Sequence, residues 1–335
     1  MLTKTAFLLV LPAALAALAA AAPAAASGPI YSLQGGGGVV FGSTRYVPVG
    51  TASGGGTELL AISTKDGTVL SQADLTGAWG LPATPAGEEG IARDGKTIVL
   101  AGTQGGFNSP SDFIVVNPKT MRIAKEITLN GYYAYDALSP DASKLYLVQF
   151  TRGATGDLNH YVVRAYDLRA NRLLPGRVAD RTQKSWVMEG YPVTRTTSAD
   201  GRWVYTLYQN SGGYPFIHAL DTVRGVAHCV GIPLANQNGI YNIALTLHGK
   251  SLAVHWRSGR PFVNVNTSTW RVTPAHRSTF PWLWVALAAS LLACGSITSL
   301  WLARGRWAAA SRRWWRRPAA ASRSTTAPRA PSTAA

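Results

Sequence analysis

"LSPDASKLYLVQF", residues 138–150, reads as the end of one strand, a tight polar turn and a second strand. Nearly the same text recurs at 197–208, "TSADGRWVYTLY", and at 91–101, "IARDGKTIVLA". Looser copies stand at 39–50, "VVFGSTRYVPVG", and at 242–256, "NIALTLHGKSLAVHW". The basic residue after each turn is Arg45, Lys96, Lys144, Arg202 or Lys250, at spacings of 51, 48, 58 and 48 residues. A period of that size marks a repeat architecture.

Between these hairpins lies a second kind: "LLAISTKDGTVLSQADL" (59–75), "FIVVNPKTMRIAKEITL" (113–129), "VVRAYDLRANRLLPGRV" (162–178), "FIHALDTVRGVAHCVGI" (216–232) and "FVNVNTSTWRVTPA" (262–275). Each has an alternating apolar run, a polar turn and another alternating run. The unit is therefore four short strands, and five units fill residues 30–275. One four-stranded meander leaves both faces and both edges unsatisfied. Radial stacking buries the faces and shields the edges, which predicts an all-β fold, a β-propeller of about five four-stranded blades. A continuous β-solenoid is the competing arrangement; the two-residue alternation excludes helical repeats. "IYSLQ" (30–34) is a candidate to add a strand to the last sheet.

"LSPDASKLYLVQF" and "VVNPKTMRIAKEITL" resemble the repeat signature of the YVTN family of bacterial β-propellers, a WD40-like repeat. In that family a "SPDGKxLYV" hairpin alternates with a "VxDxxTxKVxxxI" hairpin. The resemblance covers residues of about 39–273; the first and last repeats depart from it, with Ser43-Thr44 and His248-Gly249 in place of the Asp-Gly turn. "GYPVTRTTSADGRWVYTLYQN" followed by "PFIHALDTVRGVAHCVGIPL" is similar to a group of exported bacterial propeller proteins. The resemblance implies a blade, and binding proteins, surface-layer proteins and lactonase-like enzymes all share it.

The ends carry a different message. Lys4, the apolar run "FLLVLPAALAALAAAA" and the small-residue site "AAAS" make residues 1–26 a secretory signal peptide, with an uncleaved N-terminal anchor as the alternative. Residues 280–303, "FPWLWVALAASLLACGSITSLWLA", hold no charge over 24 residues, enough for a transmembrane helix. Trp282, Trp284 and Trp301 lie near its ends, where amphipathic rings favour the interface. The tail, 304–335, has eight arginines and no acid, and positive charge next to a span stays in the cytoplasm. Both signals give one topology: a single-pass type I protein of the cell membrane, with the propeller extracellular and a basic, low-complexity, disordered tail inside. Arg312, Arg313, Trp314, Trp315, Arg316 and Arg317 form a cluster suited to anionic headgroups.

This topology changes the meaning of the formal net charge of +16. Without Lys4 and the eight tail arginines, 23 basic residues face 16 acids, a modest excess that does not call for nucleic acid. Of the two cysteines, Cys229 lies outside and Cys294 within the expected span, so no disulfide holds the exported domain.

Chemistry is expected at the loops that lead into the innermost strands: "GEEG" (87–90), "NGYYAYD" (130–136), "MEGYPVTR" (188–195) and "NQNGIYN" (236–242). Gly90, Gly131, Gly190 and Gly239 recur there, a pattern that asks for positive φ or close packing. Glu89, Tyr133, Tyr135, Asp136, Tyr191, Arg195, Tyr241 and Asn242 are the candidate binding residues, with Tyr132 and Glu88 beside them. Aromatics with a polar tip and charges of both signs suit a protein or cell-surface ligand. A hydrolase or lactonase-like site using Glu89, Asp136 and Asn242 is the alternative, and a purely structural envelope protein a third. No catalytic residue is assigned. His160, His218, His228, His248, His255 and His276 are scattered without metal-ligand spacing, so no metal or cofactor is expected. "GGGG" (35–38) precedes a strand and is no phosphate cradle.

Overall fold

The computed structural model describes residues 32–275 apart from 106–107, 153–159, 181, 183–186, 211–212 and 235–236. The expected signal peptide, transmembrane helix and tail with its Arg/Trp cluster lie outside the described residues. Among those described, no helix is long and apolar enough to cross a membrane.

Five antiparallel sheets follow one another along the chain, and each repeat read from the sequence becomes one of them. Blade one is Val39–Phe41, Thr44–Gly50, Gly56–Ser63 and Val69–Thr76. Blade two contains Trp79–Thr84, Ile98–Gly102, Ser111–Asn117 and Arg122–Leu129. Blade three contains Tyr133–Leu138, Lys144–Thr151, His160–Asp167 and Arg172–Leu173. Blade four is Tyr191–Thr197, Trp203–Gln209, Phe216–Asp221 and Val226–Gly231, and blade five is Ile243–His248, Ser251–Trp256, Pro261–Asn266 and Val272–Pro274.

The repeat has a local cause in the turns. In the first hairpin, Asp94, Asp141 and Asp200 each accept a bond from the backbone N–H two residues on, through Oδ1. The next position takes a left-handed conformation, as Gly95, Ala142 and Gly201. In the second hairpin, Asn117, Asp167, Asp221 and Asn266 cap the turn in the same way. The left-handed residue there comes four positions after the cap: Met121, Asn171, Gly225 and Trp270. Short polar side chains that bond their own backbone make both reversals, so the motif survives where the strand residues vary.

The sheets stack through buried clusters that join consecutive blades. Leu59 and Ala61 of blade one meet Ile98 and Ile114 of blade two. Val99 and Phe113 meet Leu145 and Leu147 across the next joint. Tyr146 and Val163 meet Val204 and Leu220, and Leu207 and Ala219 meet Leu252 and Val254. The solenoid alternative also stacks sheets, but the innermost strands of blades one to four border a common pocket, the arrangement of a β-propeller. Among the described residues no such cluster joins blade five to blade one.

Two details depart from the expectation. Residues 32–33 do not extend the last sheet; Ser32 and Leu33 pair with Pro82 and Leu81 of blade two. The pairing is possible because the inner strand of that blade is split. Trp79 and Gly80 pair with Gly102 and Ala101, the chain leaves as a hairpin over 81–88, and Ile91 returns opposite Ile98. A Cβ on Gly80 would lie 2.4 Å from Leu33 O, so glycine is what lets the added strand approach. The outer edge of blade three is also interrupted: Arg172–Leu173, Val178 and Met188–Glu189 pair in turn with the strand His160–Asp167.

Candidate functional site

The shared pocket has a volume of about 330 Å³. Phe41, Glu88, Glu89, Arg93, Tyr135 and Leu138 stand on its wall. Arg93 of blade two reaches across it, Nη2 donating to Ser198 O of blade four at 3.5 Å. Phe41 keeps 41% of its surface exposed, which is high for a large ring in an inner strand.

The glycine run that precedes blade one receives a carboxylate. Glu88 Oε2 accepts from Gly38 N–H, and a Cβ on Gly36 would lie 1.7 Å from Glu88 Oε1. The run is therefore open so that an acid from the next blade can lie against bare backbone.

Beside the pocket sits a buried charge group. The Arg195 side chain is 3% exposed. Its Nε lies 3.4 Å from Glu89 Oε1, and its Nη1 lies 3.8 Å from Asp136 Oδ1. Its Nη2 donates to the Asp136 carbonyl at 2.8 Å. β-Bulges set this up: register shifts between Tyr135 and Ala137, and between Pro192 and Thr194, interrupt the inner strands of blades three and four. A bulge re-aims the side chains near it. Burial pushes the Asp136 carboxyl up, with Arg195 opposing. Burial alone would pull the Arg195 guanidinium down, but Glu89 and Asp136 outweigh it and hold it above its usual range. Burial, reinforced by Glu89, also drives the Tyr135 phenol well up.

A second, smaller cavity of about 40 Å³ lies behind this group, against blades three and four. Tyr135, Asp136, Tyr161, Tyr191, Arg195 and Tyr208 line it, and Tyr135 borders both spaces.

Of the eight residues expected from the sequence, five come together: Glu89, Tyr135, Asp136, Tyr191 and Arg195. Tyr133 is 7% exposed and packs in the cluster between blades two and three, although part of it borders a shallow recess with Asp112. Tyr241 and Asn242 lie on the loop before blade five, and neither borders these cavities. The Tyr241 hydroxyl donates to Gln209 Oε1 at 2.6 Å, and the Asn242 carbonyl accepts from Arg257 N–H. Phe41, Tyr161 and Tyr208 were not expected. Strand alternation reads them as core, and only their meeting at a cavity sets them apart. The recurrent glycines do have positive φ: Gly90 at 114°, Gly131 at 118°, Gly190 at 101° and Gly239 at 83°.

His228 and Cys229 behave as sheet residues. The His228 ring lies 4.7 Å from Trp270, and Cys229 N–H donates to Asp180 Oδ2 at 2.8 Å. Cys229 Sγ is 3.8 Å from His218 Nδ1. Burial holds the His218 imidazole down at about 4 and pushes the Cys229 thiol up to about 12, so the pair is neutral. A thiolate nucleophile does not form there. Among the described residues no group of three histidines, cysteines or acids could hold a metal ion.

No family model matches the chain, and no curated protein matches its sequence. Among solved structures, hydrazine synthase of Kuenenia stuttgartiensis is similar at 16% identity, over 68% of this chain and 74% of that one, with a TM-score of 0.38. TolB from Acinetobacter baumannii is similar at 16% identity over 67% of this chain, with a TM-score of 0.34; the match spans 55% of the TolB chain. Apo AztD from Citrobacter koseri is similar at 8% identity, over 70% of this chain and 57% of that one, with a TM-score of 0.38.

Proposed function

We propose that this chain is a binding module: a membrane-anchored extracellular β-propeller of the YVTN type that captures a protein or cell-surface ligand at the pocket between its inner strands. The observation that carries the reading is the pocket itself. About 330 Å³ stays open where four blades converge, with an exposed ring and two acids on its wall. Concave sites with an apolar wall and a few converging polar groups are where ligands bind. The signal sequence, the 24-residue apolar run and the arginine-rich tail support the exported, anchored topology, with the tail resting on anionic lipid.

The geometry gives less support to the hydrolase alternative. Glu89 and Asp136 are both paired with Arg195, and Asn242 lies on another loop, so the three groups do not converge on one reacting point. Crosslinking on intact cells tests the binding reading. Phe41→Ala should reduce captured material about tenfold with no loss of melting temperature, because the ring is partly exposed. Capture that is unchanged in Phe41→Ala overturns it.

A further inference from the structure

The smaller cavity holds several unmet hydrogen-bonding atoms. Asp136 Oδ2 is buried without a hydrogen-bond partner, Arg195 Nε has only the 3.4 Å contact with Glu89 Oε1, the Tyr161 hydroxyl has no well-formed hydrogen bond, and all three residues line this one space. The Asp136 and Arg195 side chains are 5% and 3% exposed. The Tyr161 hydroxyl has only a loose contact with the side chain of Tyr208, ring centroids 5.2 Å apart. A buried polar atom left unmet costs about 1–3 kcal/mol, so Asp136 Oδ2 and two poorly bonded neighbours around one cavity argue for a polar occupant. About 40 Å³ admits a few atoms of water size, which is room for the edge of a ligand rather than a whole one.

The cavity presents both signs of charge, so a neutral occupant suits it best: an anion would meet Asp136, and a cation would meet Arg195. What fits is a neutral group that accepts from Arg195 Nε–H and donates to Asp136 Oδ2. A hydroxyl does both, and Tyr161 can serve a second hydroxyl next to it. Tyr135, Phe150, Tyr191 and Tyr208 supply aromatic surface around this polar floor, and such surface suits the C–H faces of a sugar ring.

We propose that this cavity is a carbohydrate subsite that takes two neighbouring hydroxyls of a neutral sugar. The inference rests on the pocket being a binding site and names the class of ligand. The test uses the full chain in detergent micelles, titrated with oligosaccharides of glucose, galactose, mannose, arabinose and N-acetylglucosamine. One series should bind and raise the melting temperature. Tyr161→Phe should weaken that binding about tenfold while the melting temperature without sugar stays the same or rises, since an unmet hydroxyl is removed. Tyr191→Ala should weaken it as well.

The proposal is overturned if no series binds, if Tyr161→Phe binds as tightly as the parent, or if Tyr161→Phe alone lowers the melting temperature. The last result would mean that the hydroxyl is held by structural water. The two readings fail separately. Cell-surface capture that depends on Phe41 with no sugar bound removes only the carbohydrate assignment, whereas capture indifferent to Phe41 removes the binding site itself.

Discussion

Ala142 adopts φ 51° at a position where the corresponding turns carry Gly95 and Gly201. A residue with a Cβ is strained there by about 1–2 kcal/mol, partly offset by the extra freedom of glycine in the unfolded chain. Ala142→Gly should therefore raise stability by about 0.5–1 kcal/mol, read as a higher denaturant midpoint. Tyr133→Ala should do the opposite and cost about 3–5 kcal/mol, because this ring packs in the cluster between blades two and three. His218 gives a pH dependence. Its folded value near 4 lies below the ordinary 6.5, so the unfolded chain binds the proton first. Stability is lost as the pH falls through 6.5, and the full loss, on the order of 3 kcal/mol, is reached below about 4. Asp136, held above its ordinary value, works the other way and regains stability as it takes up a proton. Thermal melts between pH 7 and 4 should therefore show a shallower decline for His218→Asn than for the parent.

At the scale of the element, blades one and two are tied through a buried hydroxyl. Thr57 Oγ1 accepts from Gln34 Nε2 at 2.9 Å and from Trp79 N–H at 2.7 Å, and it donates to Gly77 O at 2.9 Å. Thr57→Val keeps the shape and strands these partners, which should cost about 2 kcal/mol in chemical denaturation. Gly190→Ala should be worse than an ordinary glycine replacement, because its Cβ would lie 1.6 Å from Gln209 O. The hairpins were legible in the sequence because their causes are local: an Asp or Asn capping its own turn, followed by a left-handed residue. The split inner strand of blade two was not legible, nor was the strand 32–33 that joins it. Both depend on which carbonyls and amides remain free in the finished sheet. The same division holds at the site. Glu89, Asp136 and Arg195 stood out as charged residues on the loops before inner strands. Tyr161 and Tyr208 sit at inward positions of alternating strands, where nothing in the pattern separates a cavity wall from a filled core.

At the scale of the molecule, each buried cluster couples one blade to the next. Blades two, three and four are held on both faces, whereas blades one and five each share one cluster among the described residues. Native-state hydrogen exchange should show the slowest amides in the strands Ile98–Gly102, Lys144–Thr151 and Trp203–Gln209. Exchange should be faster in Thr44–Gly50 and Ser251–Trp256. Equal protection in all five sheets would contradict this ordering.

The lack, among the described residues, of a buried cluster between blades five and one has a thermodynamic consequence. In a closed circle of blades, freeing any one member breaks two contacts at once. In an open row, either end can detach at the expense of a single contact. Partial unfolding should then start from blades one and five and move inward, leaving the central trio, with its charge group and smaller cavity, as the last part to melt.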